Sequence, residues 1–343
     1  MKILGIDTSC DETAAAVVEN GETILSNVVA TQIPFHEEYK GVVPEIASRK
    51  HTEWISVVVR DALDKAGLSA GELDGVAVTS HPGMLGSLLV GLNFAKAFAY
   101  ALNIPFIAVN HMLAHLYASR LTEERPGYPF LGLLVSGGHS IICRVDGFDD
   151  ITTLGATIDD AVGEAFDKVA RHYGFGYPGG AAIDRMARRG DASAFRFPMP
   201  NLYKGDHRYD FSYSGLKTAV INQLEQFRIK TGPTPEDIAA SFQKTAVEIL
   251  LRSLFRAAED TGIATVVAGG GVAANSLLRA RIAEQRGAVR GGALRAIFPP
   301  LNLCGDNGAM VAGLGARYLE RGDRSPLDTV ASARARGFKK KYP

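Results

Sequence analysis

Two histidines that are four residues apart, His111 and His115, are the clearest candidate metal ligands in the sequence. They fall at the start of a predicted helix, where residues four apart lie on the same face. Imidazoles at this spacing can bind one ion together, although the spacing also occurs by coincidence on helix surfaces. A zinc peptidase would need HExxH, with the glutamate as general base, and Met112 and Leu113 cannot take that role. The pair therefore indicates a metal site and gives little support to peptidase chemistry.

Asp306 is the candidate for a third ligand. It begins a predicted helix in the second half of the chain, at the place that the His111 helix occupies in the first half. If a two-fold axis relates the halves, both helix starts face one cleft. Two imidazoles and one carboxylate would then leave coordination positions open, an arrangement that suits Zn²⁺ or Fe²⁺. The ligand types do not distinguish between these two metals.

Three turns made of small residues are candidates for contacts with phosphate. They are Asp7-Thr8-Ser9, Ser136-Gly137-Gly138-His139 and Gly269-Gly270-Gly271. Small residues allow backbone N–H groups to approach phosphate oxygens closely. One such turn can be purely structural, because tight turns need glycine anyway. Three turns in equivalent places favour a bound nucleotide or acyl phosphate, yet none matches a P-loop or a dinucleotide-binding fingerprint.

Carboxylates near a further glycine-rich loop are candidates for sugar contacts. Asp167 lies on an otherwise apolar face of a predicted helix, and the loop Gly176–Gly180 follows, with Asp184 beyond it. A carboxylate is a natural partner for ribose hydroxyl groups. Most other acidic residues near turns are expected to cap helices or to face solvent.

The elements that must position these residues repeat one pattern in each half of the chain. Lys2–Ile24 and Phe130–Phe148 each contain two apolar stretches joined by a small polar tip, which predicts β-hairpins. Two strand–helix units follow each hairpin. The strands are predicted at 75–79, 105–109, 265–268 and 295–298, and the helices at 85–102, 111–120, 273–284 and 306–320. A repeat this long indicates a duplicated α/β domain rather than a solenoid.

We predict two lobes, 1–125 and 126–343, because the stretch Glu123–Pro129 between them is charged and contains glycine and proline. The second lobe carries an insertion at about 154–255 that is mostly helical and has no counterpart in the first lobe. The chain ends in a basic tail, 331–343.

The composition is that of a globular protein. The 343 residues are 46% apolar, and 37 basic residues balance 37 acidic ones, so the net charge is zero and only a local basic patch could attract nucleic acid. Cys10, Cys143 and Cys304 are far apart, which indicates neither a disulfide framework nor a thiolate metal site. With acidic residues near the N-terminus and no long apolar run, we expect a cytoplasmic protein without membrane contact.

The motifs together resemble those of one family. Gly5–Thr13 resembles its first phosphate motif, the His111/His115 pair its metal motif, and Val135–His139 its second phosphate motif. Further similar segments are 163–170, 211–219, 269–275 and 306–307. The family is that of the bacterial-type tRNA adenosine threonylcarbamoyltransferases, once called O-sialoglycoprotein endopeptidases or glycoproteases. The resemblance covers residues 1 to about 320, with the motifs in matching order and spacing.

This resemblance implies the duplicated actin/Hsp70/sugar-kinase fold, with two lobes and a central cleft. It implies transfer of a threonylcarbamoyl group from threonylcarbamoyl-AMP to the exocyclic amine of an adenosine, with release of AMP. The adenosine is next to the anticodon in tRNAs that read codons beginning with A. The implied partners are tRNA, a degenerate paralogue of the same fold and a small ATPase.

The resemblance also assigns roles to individual residues. His111, His115 and Asp306 would bind one divalent ion, with Fe²⁺ expected before Zn²⁺. The donor's phosphate and carbamoyl part would contact Leu134, Val135, Ser136, Gly137 and Gly138, its ribose Asp167, Gly180 and Asp184, and its adenine side Asn275. Further candidates for phosphate or carbamoyl contacts are Asp7, Ser9, Asp11 and His139. The sequence identifies no general base and no activated nucleophile, so direct transfer is expected rather than a covalent intermediate.

Three alternative interpretations remain. A kinase of the same fold would have similar turns but would not need the paired histidines. A metallopeptidase, suggested by the older family name, would need the missing glutamate. A non-catalytic scaffold would not need both histidines, Asp306 and all three turns.

The tRNA contact surface is not identified by any motif, and basic clusters are the candidates. One follows the ribose-binding turn, at Arg185, Arg188 and Arg189. The basic tail is another candidate. The preferred cluster is the loop with Lys204, His207 and Arg208, because three tyrosines are interleaved with it: Tyr203, Tyr209 and Tyr213. Aromatic rings beside basic groups can stack on an exposed anticodon-loop base.

Overall fold

Two five-stranded mixed sheets form the framework of the protein. A computed structural model describes residues 1–202, 205–223, 234–284, 294–334 and 338. They form two units. One unit contains residues 1–126 together with the described residues from Pro299 onward, and the other is Gly127–Phe298.

The sheet of the first unit has the order β3-β2-β1-β4-β5. Its strands are β1 Lys2–Asp7, β2 Glu12–Glu19, β3 Thr23–Thr31, β4 Gly75–His81 and β5 Phe106–Asn110. β1, β2 and β3 are antiparallel neighbours, whereas β4 runs parallel to β1 and β5 parallel to β4.

The sheet of the second unit repeats this arrangement in the order β8-β7-β6-β9-β10. Its strands are β6 Phe130–Val135, β7 Ser140–Val145, β8 Ile151–Ala156, β9 Thr265–Gly269 and β10 Arg295–Ile297. β6, β7 and β8 are antiparallel neighbours, and β9 and β10 continue the sheet in parallel. The shared topology confirms the duplicated α/β fold predicted from the sequence.

Helices cover the sheets. Those of the described residues are α1 Ile33–His36, α2 Pro44–Ala66, α3 Leu85–Leu102, α4 His111–Tyr117, α5 Val162–Tyr173, α6 Gly179–Ala187, α7 Ser214–Asn222, α8 Pro235–Thr261, α9 Ser276–Glu284, α10 Leu301–Cys304 and α11 Gly308–Arg321. Short 3₁₀ turns extend two of the predicted helices: Ala118–Leu121 follows α4, and Gly271–Ala274 precedes α9. The region predicted as a helical insertion contains α5, α6, α7 and most of α8.

Helix α3 is long and apolar enough to cross a membrane, and it is the one such helix among the described residues. In this fold its apolar composition serves the core, because Leu92, Ala95 and Ala99 pack with residues of the sheet and of α2. Burying a leucine in such a cluster contributes about 1.5–3 kcal/mol relative to exposure. The opposite face of α3 leaves Leu85 and Leu89 exposed.

Helix α11 changes the division of the chain that the sequence suggested. Residues 126–343 were assigned to the second lobe, but α11 packs on β1, β2 and β4 of the first unit. Glycines allow this close approach: a Cβ atom at Gly5 would lie 2.2 Å from the carbonyl oxygen of Gly308, and one at Gly315 would lie 2.2 Å from the Cβ of Ala77. The C-terminal segment therefore belongs to the first unit, and Asp306 with it.

Candidate functional site

The histidine pair lies at the start of α4, directly after β5. The side chain of Asn110 caps this helix by accepting hydrogen bonds from the backbone N–H groups of Met112 and Leu113. The cap fixes the residue at which the helix begins. His111 is consequently its first residue, and His115 lies about one turn further along the same face.

Asp306, in the loop before α11, joins the two histidines. Its Oδ1 atom is 3.4 Å from Nε2 of His111 and 3.2 Å from Nε2 of His115. The two Nε2 atoms are 3.2 Å apart. In a tetrahedral site with bonds of about 2.0–2.1 Å, ligand atoms are roughly 3.3–3.4 Å from each other. The three side chains therefore have the spacing that a small divalent ion requires.

His111, His115 and Asp306 all lie within the first unit. The sequence placed Asp306 opposite the histidines, at the equivalent helix of the other half of the chain. In the structure α11 contacts α4 as well as β1 and β2. The three candidate residues do lie together, and the packing of α11 on the first sheet is what brings Asp306 to the histidines.

A fully buried carboxylate, Asp7, sets the orientation of His111. Its Oδ2 atom is 2.9 Å from Nδ1 of His111 and also accepts a hydrogen bond from the hydroxyl of Thr79 at 2.7 Å. The Ser9 hydroxyl is 2.7 Å from the other oxygen of Asp7. An ionised carboxylate can only accept, so Nδ1 of a neutral His111 carries the proton and its Nε2 lone pair points away from Asp7. Carboxylate–histidine pairs of this kind are usual behind metal ligands.

The electrostatics of the group favour a cation. Burial disfavours a charged imidazole, yet the carboxylates of Asp7 and Asp306 outweigh it and raise the pKa of His111 well above its ordinary value. Burial likewise disfavours a charged carboxylate at Asp306, and the two imidazoles overcome this and hold its pKa well below the usual range. The field that stabilises an imidazolium here would stabilise a bound metal ion as well.

The pKa values of two neighbours of this group are raised. Burial, together with Asp11 and Asp306, raises the pKa of the Cys10 thiol, which disfavours the thiolate form. Burial and the carboxylates of Asp306 and Asp11 raise the pKa of Glu12 to about 10. Sequence reasoning treated Glu12 as a cap or solvated charge, since only the fold brings it near Asp306.

A separate cavity of about 480 Å³ lies in the second unit. Its lining includes five of the residues to which the family resemblance gave donor contacts: Gly137, Asp167, Gly180, Asp184 and Asn275. Its size falls in the range of small-molecule sites. These five residues come from the β6–β7 turn, α5, α6 and the turn after β9, so only the folded chain brings them together.

Close backbone packing forms one wall of this cavity. A Cβ atom at Gly163, in the first turn of α5, would lie 2.5 Å from the carbonyl oxygen of Ser136. Gly270 has a φ of +91°, and a Cβ atom there would lie 2.4 Å from the carbonyl oxygen of Val135. Both glycines are therefore required for the β6–β7 turn, α5 and the turn after β9 to meet.

Hydrogen bonds hold the two carboxylates of the cavity in place. One oxygen of Asp167 accepts the backbone N–H of Gly179 at 2.8 Å, which ties α5 to the start of α6. The Oδ1 atom of Asp184 accepts hydrogen bonds from the Ser276 hydroxyl at 2.7 Å and from the Gln243 amide at 3.0 Å. Sequence reasoning missed Ser276 and Gln243, because nothing in the local pattern of either residue points to Asp184.

The remaining predicted donor contacts are at or next to the β6–β7 turn. Leu134 and Val135 are buried at the end of β6, while Gly138 is exposed in the turn. The turn is closed by two hydrogen bonds, from the N–H of Ser136 to the carbonyl of His139 and from the N–H of His139 to the hydroxyl of Ser136. Asp11, by contrast, lies at the β1–β2 turn of the first unit.

The structure does not favour the basic loop that was preferred for tRNA. Lys204 and Tyr203 lie outside the described residues. Arg208 forms an ion pair with Asp260 at 2.6 Å, so its charge is already compensated. Tyr213 is fully buried and donates its hydroxyl to the carbonyl of Ala246, so its ring cannot stack on a base.

Comparison with known proteins decides the family. The model of the tRNA N6-adenosine threonylcarbamoyltransferase family, TsaD, matches residues 23–313. The chain belongs to this family. Proteins of that name from Treponema denticola and from Treponema pallidum strain Nichols are 65% and 56% identical to it, over 99% of this chain and 99% and 95% of their own lengths. The protein of that name from Borreliella burgdorferi strain ZS7 is 51% identical over 100% of this chain and 96% of its own length.

More distant solved structures share the fold alone. HypF from T. kodakarensis aligns with a TM-score of 0.60 at 18% identity, over 93% of this chain and 48% of its own. Component A of the (R)-2-hydroxyglutaryl-CoA dehydratase of Acidaminococcus fermentans aligns with a TM-score of 0.56 at 13% identity, over 93% and 99%. They confirm the actin-like ATPase fold class of this family member.

Proposed function

We propose that the protein transfers a threonylcarbamoyl group from threonylcarbamoyl-AMP to the exocyclic amine of the adenosine next to the anticodon, in tRNAs that read codons beginning with A. The amine nitrogen forms a bond to the carbamoyl carbon, and the bond from that carbon to the AMP phosphate oxygen breaks. AMP leaves with the electron pair, and the amine loses one proton. The observation that carries the proposal is the full-length relationship to transferases of this name.

We assign donor binding to the cavity of the second unit. Asp167 and Asp184 offer acceptors for ribose hydroxyl groups, and Asn275 lines the cavity from the turn after β9. Gly137 and Gly138 are exposed, and the space that a Cβ atom would occupy at each is open. A phosphate can therefore approach the backbone of this turn closely, and backbone N–H groups can stabilise negative charge that develops during acyl transfer.

We propose that His111, His115 and Asp306 hold one divalent ion, with Fe²⁺ expected first and Zn²⁺ as the alternative. When bound, the ion would supply Lewis-acid polarisation of carbamoyl or phosphate oxygens. The residues fit this role by their spacing, by the Asp7 contact behind His111 and by a field that favours a cation. Because Nδ1 of a neutral His111 donates to Asp7, the Nε2 lone pair of that ring would be the one that faces the ion.

We also propose the partners and location that the family resemblance implies. The partners are tRNA, a degenerate paralogue of the same fold and a small ATPase, and the location is the cytoplasm. Because the net charge of the chain is zero, long-range attraction of tRNA has to come from local basic clusters or from a partner.

The decisive experiment combines the purified protein and its partners with threonylcarbamoyl-AMP and an unmodified tRNA transcript. We expect AMP release and threonylcarbamoyladenosine at the position next to the anticodon, both detected by mass spectrometry. The matched control is the same transcript with guanosine at that position. Equal AMP release with both transcripts, or AMP release without threonylcarbamoyladenosine in the tRNA, would refute the proposed function.

A further inference from the structure

A hydrogen-bonded series of fully buried polar side chains, here called the polar chain, lies behind the β1–β2 turn. It is outside the donor cavity and outside the candidate metal group, which is His111, His115 and Asp306. The members of the polar chain are Thr13 of β2, Gln32 and His36 around α1, and His51 of α2, and each has 0% exposure. Burying polar groups lowers stability unless every group finds a partner. Four buried polar residues in the core must therefore be held by hydrogen bonds, and they in turn hold their partners in place.

Hydrogen bonds to the backbone at the two ends of this polar chain fix the tautomers of His51 and His36. Nε2 of His51 is 2.9 Å from the carbonyl oxygen of Cys10, so Nε2 carries the proton. Its Nδ1 atom then accepts, from the hydroxyl of Thr13 at 2.8 Å and from the amide of Gln32 at 3.4 Å. Burial lowers the pKa of His51, in keeping with a neutral ring.

The second imidazole continues the same directional pattern. The backbone N–H of Val43 donates to Nδ1 of His36 at 3.3 Å, so Nε2 of His36 is protonated. That Nε2 atom donates to the side-chain oxygen of Gln32 at 3.3 Å. One proton assignment thus satisfies every link from Val43 to Cys10, with both histidines neutral and protonated at Nε2.

The polar chain joins two parts of the first unit. At one end is the β1–β2 turn, in which Ser9 precedes Cys10 and contacts both Asp7 and Asp306 through its hydroxyl, at 2.7 and 3.3 Å. At the other end is the segment Ile33–Val43, in which His36 is the one fully buried residue. The polar chain is therefore the internal attachment of this exposed segment to the turn beside the metal group.

We propose that His51, linked through Gln32 to His36, is a positioning residue for the metal group. It holds the carbonyl of Cys10, which fixes the β1–β2 turn and keeps Ser9 and Asp7 in place behind His111 and Asp306. An apolar residue at 51 could fill the same volume but could not fix the position of that carbonyl. This inference rests on the proposed function for its catalytic consequence, whereas its structural content is independent of the reaction.

The proton assignment gives the first test, on ¹⁵N-labelled protein with its histidine signals assigned through His36→Gln and His51→Gln variants. Long-range ¹H–¹⁵N correlation spectra at pH 7.5 distinguish the two neutral tautomers from imidazolium. We expect both rings to be neutral and protonated at Nε2. An imidazolium or an Nδ1-protonated ring at either position would overturn the inference, whatever the enzyme's activity.

The second test measures the dissociation constant for Zn²⁺, by chelator competition, beside the rate of transfer. We expect His51→Leu to weaken Zn²⁺ binding about 10-fold and to lower kcat, as removal of outer-shell partners commonly does. His51→Gln keeps one donor and one acceptor and should restore most of the affinity. Ile55→Ala, one turn further along α2 in the apolar core, is the control matched for loss of thermal stability.

Wild-type Zn²⁺ affinity and kcat in a folded His51→Leu variant would overturn the proposal, as would an equal loss of Zn²⁺ affinity in Ile55→Ala. If His51→Leu does not fold, Gln32→Met interrupts the chain at its middle with a residue of similar size and is judged by the same criteria. A wild-type protein that binds Zn²⁺ but transfers no threonylcarbamoyl group would contradict the proposed function and leave this inference standing.

Discussion

The β1–β2 and β6–β7 turns occupy equivalent places in the two duplicated sheets, yet they are built for different chemistry. The first contains buried Asp7 and Ser9, whose side chains contact a candidate metal ligand. The second contains Gly137 and Gly138, which are exposed and have open space around them. One turn presents side chains that are held in place, and the other leaves its backbone accessible.

Under the proposed function, the duplicated framework would supply one turn to the metal ligands and the other to the donor. A metal group needs ligands that are held rigidly and paired with an outer carboxylate. A phosphate-binding turn needs little side-chain volume, because its contacts come from the backbone.

Removal of one metal ligand should have the largest effect. We expect Asp306→Ala to abolish stoichiometric binding of Fe²⁺ or Zn²⁺ and to lower transfer about 100-fold or more, since removing an outer-shell partner alone costs 10–100-fold. Metal analysis of purified protein and the transfer assay measure the two effects together. Asp323→Ala, which removes a half-exposed carboxylate of the same unit that pairs with Arg321, is the control. Full metal occupancy in a His111→Ala/His115→Ala variant would contradict the assignment.

Adding a side chain at one glycine of each unit should separate an effect on stability from an effect on donor binding. Gly138→Val fills open space, so we expect a stability change within about 0.5 kcal/mol and a donor affinity about 10-fold lower. Gly5→Ala would place a Cβ atom 2.2 Å from the carbonyl of Gly308 and should destabilise the protein by about 1–3 kcal/mol or more. Thermal unfolding and calorimetry with a non-hydrolysable threonylcarbamoyl-adenylate analogue measure both quantities. Unchanged donor affinity in Gly138→Val would show that this turn does not contact the donor.

Asp167 should show a smaller effect, confined to donor binding. The analogue should protect the wild-type protein against thermal unfolding, because it binds the native state. Asp167→Ala should weaken this protection by roughly 1 kcal/mol, the usual contribution of one hydrogen bond. Asp167→Asn keeps an acceptor for the N–H of Gly179 at the start of α6. It therefore separates this structural hydrogen bond from the proposed contact with the ribose. Undiminished protection in both variants would leave Asp167 as a cap of α6 only.

The smallest effect is expected for tRNA binding near the donor cavity. Arg185 lines that cavity and Arg189 is exposed one turn further along the chain. We expect Arg185→Ala/Arg189→Ala to weaken tRNA binding a few-fold and to reduce the salt slope by about 1 for each phosphate that an arginine no longer neutralises. Arg208→Ala is the comparison, because Asp260 already compensates its charge. An affinity and salt slope equal to those of the wild type would direct the search to a partner protein or to the tail.

The sequence by itself determined the residue types and their local settings. The alternation of apolar strands with small polar turns predicted both hairpins, and the i, i+4 spacing placed His111 and His115 on one helix face. These features depend on interactions over a few residues, which local patterns record directly. The repeat of the pattern was enough to predict a duplicated α/β fold.

Only the tertiary structure decided which distant residues meet. Asp306 joins the histidines because α11 packs through glycines on the first sheet, which no local pattern of its segment reveals. Asp7, which its turn makes a candidate for phosphate or carbamoyl contacts, lies against Nδ1 of His111, a contact that its local sequence does not reveal. The same holds for Gln243 beside Asp184 and for His51 beneath Cys10, since a hydrogen bond between elements far apart in the chain depends on how those elements pack.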